Sequence, residues 1–428
     1  MVIPCISSQE RELRYKPHLD ITLSPSAVIS MVTVYPGDEI YSLFGHSSFR
    51  VYDPENRIDW MYNYGTFDFD DPAFVPKFVS GKLEYYLDIN SYQSAFKFYK
   101  NVEKRKIVEQ MLDLDPKEKQ KLFDFLQDNG EMEDRFYKYD FIWDNCSTRI
   151  ADALDKALPG LADYSAYKST GESFRTMIRQ YLASRPFTDF GIQLALGSGA
   201  DAVPQGNEVF FLPLPMMEAF SSAVIGSKGG VPLVYEELVP GESDRVYTKR
   251  GDYPLIIFTS LLVLYAVLLL LLYRRRSSVV PEGGARGPHL TGTAHTVRAT
   301  HIVRPARIAI RIIESSVFLL TGIAGIIISY LWFFSDHTIT AANFNLLWCT
   351  PLNLILLFTW PEKDNPPAGR KAVLLMQIVS LALFALCAIS LLCALLRAQA
   401  FLPAFLPLIL IIMTAEWRRA LGWIKVKK

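Results

Sequence analysis

The sequence predicts an α+β domain lying outside the cytoplasm, followed by an all-α transmembrane bundle. Three observations carry this. Residues 1 to about 250 are mixed and charged, with short alternating, aromatic-rich strand patterns among helical ones. Beyond that point long uncharged apolar runs alternate with short loops. The basic residues crowd into every second loop, which fixes an orientation. The expected division is an N-terminal tail over 1–27, a soluble domain over 28–250 and a membrane domain over 251–428 with about five helices.

The first membrane run, Tyr253 to Tyr273, contains no charge and ends in Arg274, Arg275 and Arg276. At ~1.5 Å per residue it reaches ~30 Å, the thickness of a bilayer core. Further spans are predicted over about Ile312–Phe334, Phe344–Trp360, Val373–Leu396 and Phe401–Ala415. The second carries Glu314 near its inner end, and Pro403 and Pro407 make the entry to the fifth irregular. Arg286, Arg298 and Arg304 add to the loop after the first span. Lys363, Arg370 and Lys371 fill the loop before the fourth, and Arg418, Arg419, Lys425, Lys427 and Lys428 fill the tail. The opposite loops hold little more than Asp336, His337 and Arg397. Positive residues stay inside, so the C-terminus is expected in the cytoplasm and residues 1–250 outside. Residues 1–30 contain no apolar export segment. A start upstream of Met1 is the expected reason, with export driven by the first span as the alternative.

The net charge is +0 with no basic stripe in the soluble half, so nucleic acid is not an expected partner. Of the five cysteines, Cys349, Cys387 and Cys393 lie in apolar runs, leaving Cys5 and Cys146; this is neither a disulfide framework nor a zinc ligand set. HExxH, CxxC, P-loop, GxGxxG and GxSxG patterns are absent from the sequence. That argues against zinc peptidases, nucleotide enzymes and common serine hydrolases, and no metal or cofactor is expected.

Within the soluble half, Val28–Val34 reads as a strand and Pro36-Gly37-Asp38 as a turn. Ser48–Tyr52 and Ile58–Tyr64 read as a hairpin joined through Asp53-Pro54-Glu55-Asn56. That loop pairs Tyr52 with Arg57 and sets His46 opposite Asn63. Asp115-Pro116 opens a helix whose apolar face is Leu122, Phe123, Phe125 and Leu126. Asp144 or Asn145 caps another, placing Cys146 in its first turn. Ser169–Glu172 reads as a capping box for a helix running to about Ala183. Residues 186–250 read as loops, short helices and a strand.

A thiol at a helix N-terminus is expected to have a lowered pKa, and a neighbouring imidazole can move its proton. An Asn opposite that imidazole can orient it, as in Cys-His-Asn proteases. Cys146, His46 and Asn63 are the candidate set. The plain alternatives are a buried structural thiol and a structural histidine. Asn145-Cys146-Ser147 matches a glycosylation sequon, taken as chance beside a reactive thiol. Gly45 is expected to allow close approach of a substrate.

The segments PGDEIYSLFGHSSFRVYD, YNYGTFDFDDP, FVSGKLEYYL and YKYDFIWDNCSTR resemble the Lnb family of bacterial lipoprotein N-acyltransferases. So do FRTMIRQYLASRPFTDFGIQLALG and, in the membrane half, FFSDHTITAANFNLLWCTPLNL, so the resemblance spans nearly the whole chain from about residue 22. It implies a papain-like thiol domain, circularly permuted as in NlpC/P60 relatives because His precedes Cys, with His46 and Cys146 as the catalytic pair. Asn63 as third member rests on the register argument. The implied chemistry has Cys146 attack a phospholipid ester, giving a thioester and a lysophospholipid. The α-amine of a diacylated lipoprotein then takes the acyl group, with His46 as acid and base. His337, Asn343 and Asn345, at the outer rim between spans two and three, are expected to contribute to lipid or lipoprotein binding. Tyr64 and Arg149 are further substrate-binding candidates, with Lys82, Tyr139 and Asp140 behind them; for each, packing or a salt bridge is the plainer account. Two rivals stand beside this reading: a membrane-anchored cysteine peptidase or peptidoglycan amidase, and a non-catalytic envelope scaffold.

Overall fold

Strand β1 (Val28–Val34) lies in the middle of a seven-stranded antiparallel sheet. The computed structural model describes residues 20–68, 71–131, 135–243, 250–277, 293–358 and 370–427. The expectations about the first nineteen residues, and about most of the two basic loops at 278–292 and 359–369, lie outside these. The chain divides into two compact units. One comprises Met1–Ser184, Ala200–Lys249 and Phe334–Ile339; the other comprises Arg185–Gly199, Arg250–Phe333 and Thr340–Lys428. The boundary near 250 is therefore supplemented by an exchange: a short segment of each half belongs to the other unit.

In the first unit the sheet continues with β2 (His46–Asp53), β3 (Ile58–Thr66), β4 (Glu84–Ser91), β5 (Ile107–Leu112) and β6 (Phe136–Lys138). A small sheet of β7 (Ala162–Asp163), β8 (Val224–Ile225) and β9 (Val231–Pro232) stands apart, and β10 (Val234–Gly241) returns to the large one. The order in the large sheet is β10-β5-β1-β2-β3-β4-β6. Helices α1 (Phe74–Val79) and α2 (Tyr92–Lys97) flank β4, and α3 (Pro116–Asn129) and α4 (Cys146–Ala157) follow. Alternation gives the sheet two covered faces. Ile29, Met31, Phe49, Val51 and Tyr62 pack with Leu122, Phe123 and Leu126 of α3 and Ile150 and Leu154 of α4. Val32, Val34 and Met61 face Tyr92, Ala95 and Tyr99 instead. Helix α3 starts where the sequence indicated. The Asp115 carboxylate accepts from the backbone of Lys117 and Glu118, and Glu118 closes the box by accepting from Asp115 N.

Two local expectations are corrected. The β2–β3 hairpin pairs Asp53 with Ile58 and Phe49 with Tyr62, so the loop is Pro54–Arg57 and the register slides by two residues. The Asp53 carboxylate accepts from the backbone of Glu55 and Asn56 and so belongs to the strand end that holds the loop. Ser169–Glu172 does not cap a helix. Helix α5 (Phe174–Tyr181) starts later because the Ser173 hydroxyl accepts from Thr176 N, while Glu172 accepts from Gln180.

Among the described residues of the second unit, three helices are long and apolar enough to cross a membrane: Tyr253–Arg274, Arg304–Phe333 and Lys371–Leu395. They lie in α8 (Tyr253–Ser277), α9 (Thr293–Phe333) and α10 (Arg370–Leu395) once α6 (Pro186–Ala195) and α7 (Pro213–Ser222, in the first unit) are counted. The predicted third span is not one regular helix. It forms two 3₁₀ segments, Phe344–Leu347 and Pro351–Phe358, because Pro351 lacks the N–H that would continue the first. Ideal Cβ atoms at Gly322 and Gly325 of α9 would fall 2.6 Å from the Leu354 side chain and 2.0 Å from Cys349 O, so these glycines let this irregular segment lie directly on the helix. The last helix, α11 (Phe405–Lys427), starts after Pro403 and carries Pro407 in its first turn, where no backbone donor is lost. Glu314 is buried in α9 and is held by Tyr265 Oη of α8 and Arg418 of α11, which satisfies an otherwise costly charge and ties three helices together.

Candidate functional site

Cys146 is placed by the turn before it. The Asp140 carboxylate accepts from the backbone of Ile142 and Trp143, and the Asp140 and Asp144 backbones exchange hydrogen bonds. The chain then enters α4 through Asn145, whose Oδ1 accepts from Ser147 N at 2.7 Å and Thr148 N at 3.0 Å, while Thr148 Oγ1 accepts from Asn145 N. Its Nδ2 donates to Phe141 O and Phe211 O, so this buried amide fixes both the helix start and the preceding turn. The same commitment makes Asn145 a poor glycosylation acceptor. Arg149 grips Asp144 through two nitrogens, closing the turn from the other side.

Cys146 is a free, partly exposed thiol. Backbone N–H groups of Ser47, Cys146 and Ser147 point at its sulfur and favour the thiolate, yet burial outweighs them and pushes the thiol pKa up. The sequence led to the opposite sign. Packing accounts for the difference: Cys146 lies against the core that holds Tyr85 and Tyr137, as does Tyr139. Tyr85 and Tyr139 stack at 4.2 Å between ring centroids. An apolar wall of this kind removes water from the sulfur, and the first-turn dipole does not replace it.

His46 opens β2, one residue before the Ser47 N–H that faces the sulfur. Its Nε2 lies 3.1 Å from Asn63 Oδ1. The two-residue slide in register explains why this pairing survives: a shift of two keeps both residues on one face, as diagonal neighbours. The orientation of the ring follows from a chain of donors. Asp88 Oδ2 accepts from Asn90 Nδ2 at 3.0 Å, so Asn90 Oδ1 is left to accept from Asn63 Nδ2 at 3.2 Å. Asn63 Oδ1 is then the acceptor for His46, which must carry its proton on Nε2 and keep Nδ1 as a base. Burial pushes the His46 pKa down to about 3, against the raising effect of Asn63. The residue as a whole is only partly buried, and the imidazole is neutral at pH 7. At rest the thiol and the imidazole are therefore both neutral. Alkylation of Cys146 by iodoacetamide should climb about tenfold per pH unit up to and beyond pH 9. A plateau between pH 5 and 8, read peptide by peptide in the mass spectrometer, would reveal a thiolate–imidazolium pair instead.

The backbone completes the site. Asn63 pairs with Asp88 and Thr66 with Tyr86, which leaves a bulge at Tyr64-Gly65. Gly65 has φ +89, and an ideal Cβ on it would sit 3.3 Å from Cys146 Cβ. Gly65, Ser47, Tyr137 and Tyr85 were not singled out from sequence. A glycine inside a strand pattern was the available signal for the bulge. Gly45, at φ +88, is approached by Val34 O and Pro213, so it serves the chain's own packing and not the expected close approach of a substrate.

The expected substrate-binding residues separate. Tyr64 is a buried core residue with its hydroxyl 3.5 Å from Asn129, and Arg149 lies with its guanidinium 3.6 Å over the Tyr137 ring; both support the site from behind. Of the residues behind them, Lys82 is exposed. His337 belongs to the first unit, where its Nε2 lies 2.9 Å from Phe78 O, and Thr338 Oγ1 accepts from Trp143 Nε1. Asn343 and Asn345 belong to the second unit and are fully buried. Asn343 donates to Leu194 O and Ala195 O, Asn345 donates to Leu194 O, and Asn345 Oδ1 accepts from Trp348 Nε1. These amides pin the 185–199 segment inside that unit, in place of the exposed rim contribution expected of them.

Comparison with known proteins gives two family matches. Residues 15–183 match the Lnb N-terminal periplasmic domain, and residues 294–424 match the Lnb transmembrane domain. No curated protein and no solved structure matches the chain. A periplasmic N-terminal domain joined to a transmembrane region is thereby established.

Proposed function

Because the chain belongs to the Lnb family, a group of membrane proteins tied to lipoprotein N-acylation, we propose that it is itself the N-acyltransferase, with Cys146 as nucleophile. In this reading the periplasmic domain is papain-like and the chain sits in the inner membrane with its C-terminus in the cytoplasm. His46 Nδ1 takes the thiol proton as the sulfur attacks a phospholipid ester carbonyl, and returns it to the departing lysophospholipid oxygen. The α-amine of a diacylglyceryl-cysteine at a lipoprotein N-terminus then displaces the thioester, with His46 accepting the amine proton. The second step is favourable because an amide is more stable than a thioester. Anchoring in a bilayer that holds both lipid substrates raises their effective concentration at the thiol.

The observation that supports this reading is the orientation chain Asp88–Asn90–Asn63–His46, ending one residue before Ser47, whose backbone N–H reaches a partly exposed thiol at a capped helix start. A structural thiol has no use for a base held in one tautomer. The test is the full-length protein in vesicles whose phosphatidylethanolamine carries labelled acyl chains. Label is expected on Cys146, released by hydroxylamine and passed to a diacylated lipopeptide. A peptidase or a scaffold would acquire none, and an unlabelled wild-type protein in active vesicles would end the proposal.

A further inference from the structure

Tyr137 is a polar residue near the thiol that the reading above leaves without a task. It is 8% exposed, and its hydroxyl has no hydrogen-bond partner among the described residues. Burying an unmatched hydroxyl is costly, and where such a group persists a function is worth seeking. The position where Gly65 would carry a Cβ is 3.3 Å from Cys146 Cβ and 3.9 Å from Tyr137 Oη, so the hydroxyl and the Cys146 side chain flank the same bare glycine. The bulge and the positive φ of Gly65 keep a side chain out of that position. The ring is also fixed. The Arg149 guanidinium lies over it at 3.6 Å, and Tyr64 meets it edge-on at 6.4 Å. Burial first, and then the charge of Cys146, raise the phenol pKa well above its ordinary value, so the hydroxyl keeps its proton as a donor.

We propose that Tyr137 donates its hydroxyl to the oxyanion formed when Cys146 attacks an acyl carbonyl beside the bare backbone of Gly65. The inference rests on the acyl-transfer reading and assigns a further catalytic residue within it. As the S–C bond forms, the carbonyl π pair moves to oxygen, and Tyr137 donates a hydrogen bond to that oxygen without giving up its proton. The pair returns as the ester C–O bond breaks, and the leaving oxygen takes the proton held on His46. Amine attack on the thioester creates the same oxyanion, so the same donor serves; the C–S bond then breaks and the sulfur regains the proton through His46.

The test separates this role from packing. Tyr137→Phe keeps the ring beneath Arg149 and removes one oxygen. In full-length protein in labelled phosphatidylethanolamine vesicles, thioester formation on Cys146 should slow by about 10²–10³-fold, the loss typical of one oxyanion donor. Alkylation of Cys146 by iodoacetamide passes through no oxyanion and should keep its wild-type rate. Equal losses in both reactions would make Tyr137 a support of the thiol and overturn the proposal. An unchanged rate of thioester formation would show the hydroxyl to be idle and overturn it too. If wild-type protein forms no thioester while its thiol still alkylates, the acyl-transfer reading itself fails and the oxyanion role falls with it.

Discussion

Cells whose copy of this chain carries Cys146→Ser are expected to hold diacylated lipoproteins only, with the folded protein present at normal levels. The substitution keeps the size of the side chain and leaves the Asn145 cap untouched, so thermal unfolding should shift little. The chemistry should nevertheless fail. A serine hydroxyl ionises far above a thiol, and the neutral imidazole that must deprotonate it has its own pKa pushed down to about 3. A rate loss on the order of 10⁶-fold is expected, as when the nucleophile of a cooperating set is removed. Mass spectrometry of lipoprotein N-termini in a deletion strain complemented with the variant reads the outcome directly. Triacylated products from Cys146→Ser would mean that the sulfur is not the acyl carrier.

What could be read from the sequence, and what could not, follows the range of the interactions. Helix α3 was legible because Asp115, Pro116 and Glu118 form its start within four residues. The Asn145 cap, and hence the position of Cys146, was legible for the same reason. The pairing of His46 with Asn63 survived an error of two in register because parity, not the loop count, decides which face a side chain takes. The sign of the thiol shift was missed because its cause is burial against the core that holds Tyr85 of β4 and Tyr137 of β6, which come together with Cys146 only in three dimensions. Apolar content pointed to a third span over Phe344–Trp360, but hydropathy does not register that Pro351 breaks the helix or that Gly325 lets the broken piece lie against α9. The exchange of 185–199 and 334–339 between the two units was out of reach for a related reason. The placement of 185–199 depends on the buried amides of Asn343 and Asn345 finding the carbonyls of Leu194 and Ala195, contacts about 150 positions apart along the chain, and that of 334–339 on contacts with Phe78, Ser80 and Trp143.

His46→Ala tests the other half of the pair, and its pH dependence tells more than its size. If the thiol rested as thiolate, removing the imidazole would cost only orientation. Here burial raises the thiol pKa, so at pH 7 the proton must leave with help, and the loss should be about 10³–10⁴-fold in thioester formation. The deficit should narrow as pH rises through and beyond 9, because the sulfur then ionises without a base. Wild-type activity should persist well below pH 6, since His46 stays unprotonated until far into the acid range. Asn63→Ala should lose less and in the same direction: the ring remains, but nothing then holds the proton on Nε2 and the lone pair on Nδ1. The two losses should not add in the double variant, because Asn63 acts only through the ring it orients. Thioester formation by His46→Ala that stayed equally depressed from pH 7 to pH 10, with the thiol still alkylating, would show that His46 does something other than remove the Cys146 proton.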